Sequence, residues 1–240
     1  MDQKLRKEPL GKGFYVNVTP HHTFGTDAVL LSSFAHPKKK DKLVDLGTGC
    51  GIIPLLMLRD GNLKEAVGVD ISEEATTLAQ KTKEELQLSN FAVINSDLKD
   101  LKGKVEFGCN TLVTCNPPYM EGNWGFVSPN DLKAIARHEL YINIDDVVKI
   151  SSYLLKFGGY LSLVHKSDRL CDIICSMRKY NIEPKRIRFV HSHIFDAPKL
   201  VLVEGIKGAK KSLKILNPLC IYNDDGTYTD EVKKLYSGEN

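Results

Sequence analysis

The sequence predicts an α/β fold, a doubly wound and mainly parallel sheet covered by helices on both faces. Short apolar segments, several of them uninterrupted by polar residues, alternate along the chain with longer helix-like segments. Uninterrupted apolar strands are typical of sheets buried on both faces, and their alternation with helices indicates right-handed βαβ units. At 240 residues, with 42% hydrophobic and 26% charged residues, the chain has the composition of a globular protein with a sizeable core.

Seven segments are predicted as strands and five as helices. The strands are 42–46, 66–70, 91–95, 111–115, 159–164, 187–190 and 200–206. The helices are 26–35, 51–59, 72–87, 144–157 and 168–180. Ser72 is a suitable N-cap for its helix, because Glu73 and Glu74 place negative charge in the first turn. No obvious helix joins the last two strands, so 187–216 is predicted to supply an antiparallel hairpin at that end of the sheet.

Residues 1–240 are predicted to form a single domain with two extensions. No linker rich in Gly, Ser or Pro separates residues 1–40 or residues 207–240 from the sheet, so both are expected to pack on it. The charged N-terminal segment contains no apolar signal, and no segment has the length and apolarity of a membrane span. A cytoplasmic location without membrane contact is therefore expected.

The six cysteines indicate reduced thiols, because they include no CxxC pair and most lie among apolar or small residues. Cys171 and Cys175 are four residues apart on a predicted helix, and no histidine or further cysteine lies at ligand spacing. We predict that both are buried in the core. His138 and Glu139 lack the second histidine of a zinc-protease motif, so no metal is expected.

A glycine-rich loop follows the first predicted strand of the parallel sheet. Gly47, Gly49 and Gly51 come directly after Asp45 and Leu46 and open the next helix. Glycines permit a tight strand-to-helix turn and let a ligand approach the backbone at the carboxyl ends of the strands. The third glycine comes one residue too early for the dinucleotide fingerprint. A carboxylate at Asp45 would repel a pyrophosphate but suits a ligand with ammonium and sulfonium groups, which favours S-adenosylmethionine.

Three successive strands are each followed or ended by an aspartate. Asp45 belongs to the first strand, Asp70 ends the second, and Asp97 follows the third. Asp70 is positioned to accept hydrogen bonds from both ribose hydroxyls, and Asp97 from an adenine amino group. Each aspartate alone is explained equally well as an N-cap or surface acid. Their order after a glycine loop favours a cofactor site.

The segment Asn116-Pro117-Pro118-Tyr119 follows the fourth strand. Successive prolines donate no backbone hydrogen bond and fix φ at about −65°, so the strand must end there in a stiff, extended turn. A glycine loop followed by this motif resembles the S-adenosylmethionine-dependent methyltransferases that act on planar nitrogens, which have a seven-stranded, Rossmann-like class I fold. The resemblance implies that the Asn116 side chain and the Pro117 carbonyl accept hydrogen bonds from the target amino group. It also implies that Tyr119 stacks on the target base, in a frame that Pro118 helps to stiffen.

The motif suits the chemistry of an amino group conjugated to a ring. The nitrogen lone pair is delocalised, and two acceptors holding its hydrogens would favour a nucleophilic geometry. No strong base is needed, because the methylated nitrogen is acidic. A nucleic-acid base would have to be flipped into the pocket, and stacking on Tyr119 would offset about 1–3 kcal/mol of that cost.

Several substrates are compatible with the motif. It is shared by enzymes that methylate adenine N6 in DNA, ribosomal RNA or tRNA, and by enzymes that methylate glutamine N5 in release factors. The glutamine enzymes typically carry a helical N-terminal domain, whereas only about 40 residues precede the glycine loop here. Related guanine-N2 enzymes more often have Phe in place of Tyr119. An inactive RNA-binding scaffold is a further alternative, although both motifs are intact.

Three other segments resemble the bacterial tRNA(Val) adenine-37 N6-methyltransferase family, and the similarity extends over nearly the whole chain. They are residues 24–35, 136–139 and 218–232. The resemblance implies methyl transfer from S-adenosylmethionine to the N6 atom of an adenine in tRNA, beside the anticodon. Thr26 and Asp27 would then border the cofactor pocket.

The positive charge of the chain is concentrated towards its C-terminal part. The net charge of +3 is too small to require a nucleic-acid partner. Between residues 178 and 214, however, ten Lys and Arg residues occur with only three acids. The resemblance suggests Lys207, Lys210 and Lys211, on a predicted hairpin at 207–214, as RNA contacts. A solvated lysine-rich surface is the alternative, and the sequence identifies no protein partner.

Overall fold

The protein is described by a computed structural model that covers residues 5–61, 63–117 and 143–237. Within these residues the strands are β1 Arg6–Gly11, β2 Phe14–Val18, β3 Asp41–Leu46, β4 Leu63–Asp70, β5 Phe91–Asn95, β6 Asn110–Cys115, β7 Leu155–Lys166, β8 Ile182–His191, β9 Leu200–Lys207, β10 Lys214–Ile215 and β11 Leu219–Cys220. The α-helices are α1 Thr26–Phe34, α2 Ile52–Arg59, α3 Glu73–Glu85, α4 Ile144–Leu154, α5 Leu170–Lys179 and α6 Asp230–Ser237.

The central sheet has the strand order β8-β9-β7-β6-β3-β4-β5. Adjacent strands in the run β7-β6-β3-β4-β5 are parallel to one another. Strand β9 is antiparallel to both β7 and β8. This arrangement confirms the predicted doubly wound, mainly parallel sheet and the antiparallel hairpin at its end. Two short strands that were not predicted, β10 and β11, pair in parallel with the outer side of β8.

The two ends of the sheet differ in what they can bind. We use "carboxyl edge" for the end at which β3, β4 and β6 finish, and "amino edge" for the opposite end. Because β9 is antiparallel to its neighbours, β8 finishes and β9 begins at the carboxyl edge, where Leu200 lies opposite Lys166 and Val190. Ligands of open α/β sheets bind at the carboxyl edge.

Side chains of the central strands alternate between two apolar layers. In β3, Leu43 packs in the first layer, with α1, α2 and α3, whereas Val44 packs in the second, with α4 and α5. This alternation is the two-residue period of a strand buried on both faces. The β1–β2 hairpin contributes Val16 to the first layer, and α6 contributes Val232, so both ends of the chain share it.

All seven predicted strands and all five predicted helices form, with some ends displaced. The helix predicted at 144–157 ends at Leu154, because Leu155 pairs with Asn110 and begins β7. Gly158 has a φ of +76°, which a helix does not accommodate. Ser72 is the N-cap of α3, as predicted, and its hydroxyl accepts a hydrogen bond from the Ala75 amide.

The prediction that Cys171 and Cys175 are buried is wrong, because both are exposed on α5. The same helix buries Ile173 and Met177 completely in the second layer. These two residues lie about 200° around the helix from the two cysteines. The larger apolar side chains therefore determine which face of α5 packs on the sheet.

Candidate active site

A cavity of about 250 Å³ lies at the carboxyl edge, where three segments of the chain meet. The first segment leads into α1, the second is the glycine loop between β3 and α2, and the third follows β6. The lining residues are Thr23, Phe24, Gly25, Asp27, Ala28, Gly47, Thr48, Gly49, Cys50, Ile52, Ile53, Asn116 and Pro117. Five predicted site residues, Asp27, Gly47, Gly49, Asn116 and Pro117, are thus brought together.

The glycine loop depends on backbone conformations that favour glycine. Gly47, Gly49 and Gly51 have φ values of +72°, +56° and +87°. A Cβ atom at Gly51 would lie 3.2 Å from Ala79 Cβ, so this glycine permits close packing of the loop on α3. At Gly47 and Gly49 a Cβ atom would meet no described atom within 4 Å. Gly51 therefore shapes the loop, while the other two leave open backbone beside the cavity.

Asp70 connects the glycine loop to the start of α3. Its Oδ2 accepts a hydrogen bond from the Gly49 amide at 2.8 Å, and its Oδ1 accepts one from the Ser72 amide at 2.9 Å. A carboxylate can accept about four hydrogen bonds, so both oxygens have capacity for ligand hydroxyls. Asp70 does not line the cavity itself. It is joined to the cavity wall by its hydrogen bond with Gly49, which is a lining residue.

Asp97 is an N-cap. This was the alternative explanation for a residue that is also predicted to contact adenine. Its Oδ1 accepts a hydrogen bond from the Lys99 amide at 2.8 Å, at the start of the short 3₁₀ helix Leu98–Asp100. The preceding Ser96 amide donates to the Asp70 carbonyl, which keeps the two aspartates on neighbouring strand ends. The role of Asp97 in adenine binding stays a prediction.

Asp45 lies beneath the glycine loop and is completely buried, so it does not line the cavity. The Thr114 hydroxyl donates to Asp45 Oδ1 at 2.6 Å. Oδ2 and the hydroxyl of Thr48 make no hydrogen bond within the described residues. Burial raises the pKa of Asp45 to about 7, although the Thr114 hydrogen bond opposes the shift. A buried carboxyl group under the loop favours a cationic ligand above it.

Asn116 and Pro117 emerge at the end of β6, in the middle of the sheet. Asn116 is half-buried and Pro117 is buried, and both line the cavity together with the glycine loop. The predicted residues Pro118 and Tyr119 lie outside the described residues, as do His138 and Glu139. Only the first half of the motif can therefore be placed relative to the loop.

The start of α1 forms one wall of the cavity. Asp27 lines the cavity, and its Oδ1 accepts a hydrogen bond from the Ala28 amide at 2.9 Å. The hydroxyl of Thr26 does not line the cavity and instead lies 3.0 Å from the hydroxyl of Tyr236 in α6. No local sequence pattern indicates this contact, because the two residues are 210 positions apart.

Other lining residues were missed at the sequence level. Thr48, Cys50, Ile52 and Ile53 belong to the glycine loop and the first turn of α2. Their position between predicted site residues was the only available signal. For Phe24 the only available signal was likewise its position in the sequence, two residues before the predicted site residue Thr26.

The predicted RNA-binding lysines lie at the amino edge, away from the cavity. Lys207 ends β9 and donates hydrogen bonds to the carbonyls of Ser152 and Leu155, at 2.5 and 2.8 Å. Residues 208–213 form a loop leading to β10, on the far side of β8, so the segment 207–214 is not the predicted hairpin. Lys210 and Lys211 are exposed on this loop. The length of β9 separates them from the carboxyl edge by roughly 20 Å.

Residues 5–61, 63–117 and 143–237 contain neither a candidate metal-binding cluster nor a candidate membrane-spanning helix. No group of three or more His, Cys, Asp or Glu side chains there is arranged to hold a metal ion. In the same ranges, every helix is too short or too polar to cross a membrane.

Comparisons with known proteins agree with the geometry. The family described as methyltransferase small domain matches residues 23–172. The tRNA1(Val) (adenine(37)-N6)-methyltransferase of Shewanella woodyi is 27% identical over 230 residues, covering 89% of this chain and 90% of that protein. Among solved structures, a predicted O-methyltransferase from Agrobacterium tumefaciens has a TM-score of 0.72 at 21% identity, covering 88% of this chain and 96% of that chain.

A second solved structure has the same fold at lower similarity. It is geranyl diphosphate C-methyltransferase from Streptomyces coelicolor in complex with S-adenosyl-L-homocysteine, with a TM-score of 0.54 and 14% identity. It covers 75% of this chain and 76% of that chain. Both solved structures confirm the predicted Rossmann-like methyltransferase fold. Since the family match spans more than half of the sequence and includes the whole cavity, the chain belongs to the methyltransferase small domain family.

Proposed function

We propose that the protein transfers a methyl group from S-adenosylmethionine to the N6 atom of adenine 37 in tRNA(Val). The observation that carries this proposal is that Asn116 and Pro117 line the same cavity as Gly47 and Gly49, the open backbone of the glycine loop. The relative from Shewanella woodyi, which is similar over 89% of this chain, is named for this reaction. Action on tRNA also implies a cytoplasmic location.

The residues of the carboxyl edge fit S-adenosylmethionine. Gly47 and Gly49 provide open backbone, Asp27 adds a carboxylate to the wall, and Asp70 has acceptor capacity for ribose hydroxyls. Asp45 is buried, and its Oδ2 has no hydrogen-bond partner in the part of the chain that the structure describes, so it favours positive charge nearby. When bound, S-adenosylmethionine supplies an electrophilic methyl group on its sulfonium.

Asn116 and Pro117 would hold the nucleophile. The Asn116 side-chain oxygen and the Pro117 carbonyl accept the two hydrogens of the adenine amino group and align its nitrogen with the methyl group. The proline ring fixes the backbone of this frame, so alignment costs little conformational entropy. The methylated nitrogen releases its proton to water, and we assign stacking on the base to Tyr119.

Asp70→Ala is expected to weaken S-adenosylmethionine binding by about 10- to 100-fold, since both ribose contacts and the Gly49 and Ser72 hydrogen bonds are lost. Calorimetric titration with the cofactor measures the change. Asp70→Asn, which keeps one acceptor oxygen and the side-chain volume, should show an intermediate loss. Unchanged affinity in the alanine variant would refute the ribose contact.

The assignment of Lys210 and Lys211 to RNA binding requires the substrate to reach the amino edge. If it does, replacing both lysines with alanine should lower tRNA affinity and reduce the slope of log K against log[salt] by about two. Filter binding at several salt concentrations measures the slope. An unaltered slope would show that Lys210 and Lys211 do not contact the RNA, so the RNA surface would lie elsewhere on the protein.

We further propose that residues 1–40 and 207–240 are integral parts of one domain. Val16 and Val232 are completely buried in the first layer, and Arg59 in α2 donates to the carbonyl of Leu10. A single cooperative thermal transition would support this proposal. Two separate transitions would contradict it.

The activity is tested by incubating the protein with S-adenosylmethionine and total bacterial tRNA that lacks N6-methyladenosine. Nucleoside mass spectrometry should detect new N6-methyladenosine in the tRNA. With cofactor binding demonstrated, the absence of this product would reject the tRNA substrate. Parallel reactions with ribosomal RNA, DNA and a release factor then distinguish the remaining substrates.

A further inference from the structure

Four rings from two distant parts of the chain form a row at the carboxyl edge. We call His193, Tyr222, Tyr228 and Tyr236 the aromatic row. Successive ring centroids are 5.8, 5.4 and 5.7 Å apart, and the three tyrosine rings are stacked with interplanar angles of 12° and 23°. At such separations the rings are offset, so each leaves part of its face or edge uncovered by its neighbour.

One end of the aromatic row reaches the rim of the cavity. The hydroxyl of Tyr236 lies 3.0 Å from that of Thr26, and the neighbours of Thr26 on both sides, Gly25 and Asp27, line the cavity. Tyr236 retains 37% exposure. The row therefore begins beside the wall of the cavity that the start of α1 forms.

The other end of the aromatic row lies in the loop 192–199, which joins β8 to β9 at the carboxyl edge. Tyr222 is fixed to this loop by a hydrogen bond from its amide to the Ser192 carbonyl at 2.9 Å. Beyond His193, the Phe195 side chain is 95% exposed and Ile194 is 54% exposed. An apolar ring presented this openly next to a row of rings indicates a contact surface.

Hydrogen bonds hold the backbone of the loop on both sides of Phe195. Asp196 Oδ2 accepts a hydrogen bond from the His193 amide at 3.1 Å, and the Asp196 carbonyl lies 2.7 Å from His191 Nδ1. The Ser167 hydroxyl donates to the Pro198 carbonyl at 2.5 Å. Preorganisation of this kind reduces the entropy lost when a partner stacks on the ring.

The charges around the aromatic row distinguish between possible partners. Residues 222–231 contain four acids and no Lys or Arg. Three of these acids are bonded internally, since Glu231 pairs with Arg188, Asp230 pairs with Lys233 and Asp225 accepts from Thr227. With most of its acids paired, this surface has no excess of positive charge that would attract an anionic lipid surface, and little free negative charge that would repel RNA. Uncharged faces of nucleic-acid bases are compatible with it, because stacking needs no positive charge.

We propose that Phe195 and the aromatic row bind the unpaired nucleotides beside the target adenine, stacking their bases while the adenine occupies the cavity. The inference rests on the proposed function and specifies how its RNA is recognised. Bases in single-stranded loops are commonly splayed apart and stacked on aromatic side chains. A row that continues from the cavity rim matches a strand whose central base has been flipped out.

The first test is Phe195→Ala. A side chain that is 95% exposed adds little to folding, so the melting temperature and S-adenosylmethionine affinity should not change. Affinity for the unmodified anticodon stem–loop of tRNA(Val) should fall about tenfold, as expected for the loss of one stacked base. Phe157→Ala is the matched control, because Phe157 is 73% exposed but lies in β7 near the amino edge, and it should bind like the wild type.

The second measurement combines Phe195→Ala with stem–loops that carry a single abasic site at each unpaired position of the anticodon loop in turn. If Phe195 stacks on one of these bases, the variant and that abasic site should each lower affinity, and together lower it no further. Wild-type affinity in the variant would overturn the stacking surface, as would an equal loss for base-bearing and abasic RNA. If the stacking surface is overturned but methylation of tRNA proceeds, the proposed function stands. If the wild-type protein binds no stem–loop, both the stacking surface and the proposed function are contradicted.

Discussion

Asn116→Ala is expected to lower the rate of methylation by about 10²–10³-fold, the usual cost of removing one preorganised polar group at a reacting centre. Asn116 lines the cavity at the end of β6, together with Pro117, Gly47 and Gly49. Cofactor affinity should be largely retained, because the glycine loop and Asp70 hold their hydrogen bonds without Asn116. Single-turnover methylation of tRNA measures the rate, and calorimetry measures cofactor affinity.

Asn116→Asp provides the matched comparison. A carboxylate is nearly the same size as the amide and still accepts hydrogen bonds from an amino group, so this variant should keep more activity than the alanine variant. Equal inactivation of both would show that the amide nitrogen of Asn116, rather than its oxygen, is essential. An alanine variant with wild-type turnover would remove Asn116 from the mechanism.

Asp45→Asn is expected to remove a pH-dependent loss of stability. The pKa of Asp45 is raised by burial from 3.8 to about 7, so the folded protein holds this proton at pH values where the unfolded chain has released it. The free energy of unfolding therefore falls as the pH rises from about 4 to about 7, and then becomes constant. A difference of about three pKa units corresponds to at most about 4 kcal/mol.

Urea unfolding at several pH values between 4 and 8 measures this effect. The wild-type free energy of unfolding should decline by a few kcal/mol across the range, and the decline should be much smaller in Asp45→Asn. Asparagine can still accept the Thr114 hydrogen bond. Asp41→Asn, on the same strand, is the control and should retain the wild-type dependence. An unchanged decline in Asp45→Asn would assign the pH dependence to another group.

Most of the sheet could be predicted because its strands are local apolar runs bounded by polar turns. Their alternation with helices then indicated right-handed βαβ units, whereas the strand order was not predicted. The β1–β2 hairpin, β10, β11 and α6 were missed. Strands of two residues carry no period, and α6 buries only Val232, so neither has a strong local pattern.

The candidate site could be predicted where function depends on the backbone. Left-handed φ at Gly47, Gly49 and Gly51 requires glycine, and a strand that ends in Asn-Pro-Pro must turn, so both features are visible in the residue types. Residues whose role depends on side-chain direction could not be placed this way. Asp45 was expected at the ligand and lies beneath the loop, bonded to Thr114 on a neighbouring strand.

The sequence alone determined the fold class, the glycine loop and the position of Asn116 at a strand end, because each depends on neighbouring residues. Tertiary structure decided which end of the sheet each charged or aromatic segment reaches. Because β9 is antiparallel to β7, Lys207 lies at the amino edge. The C-terminal helix α6 packs so that Tyr236 contacts Thr26 beside the cavity. Contacts of this kind join residues far apart in the chain, so the interactions that form them leave no pattern in any short stretch of sequence.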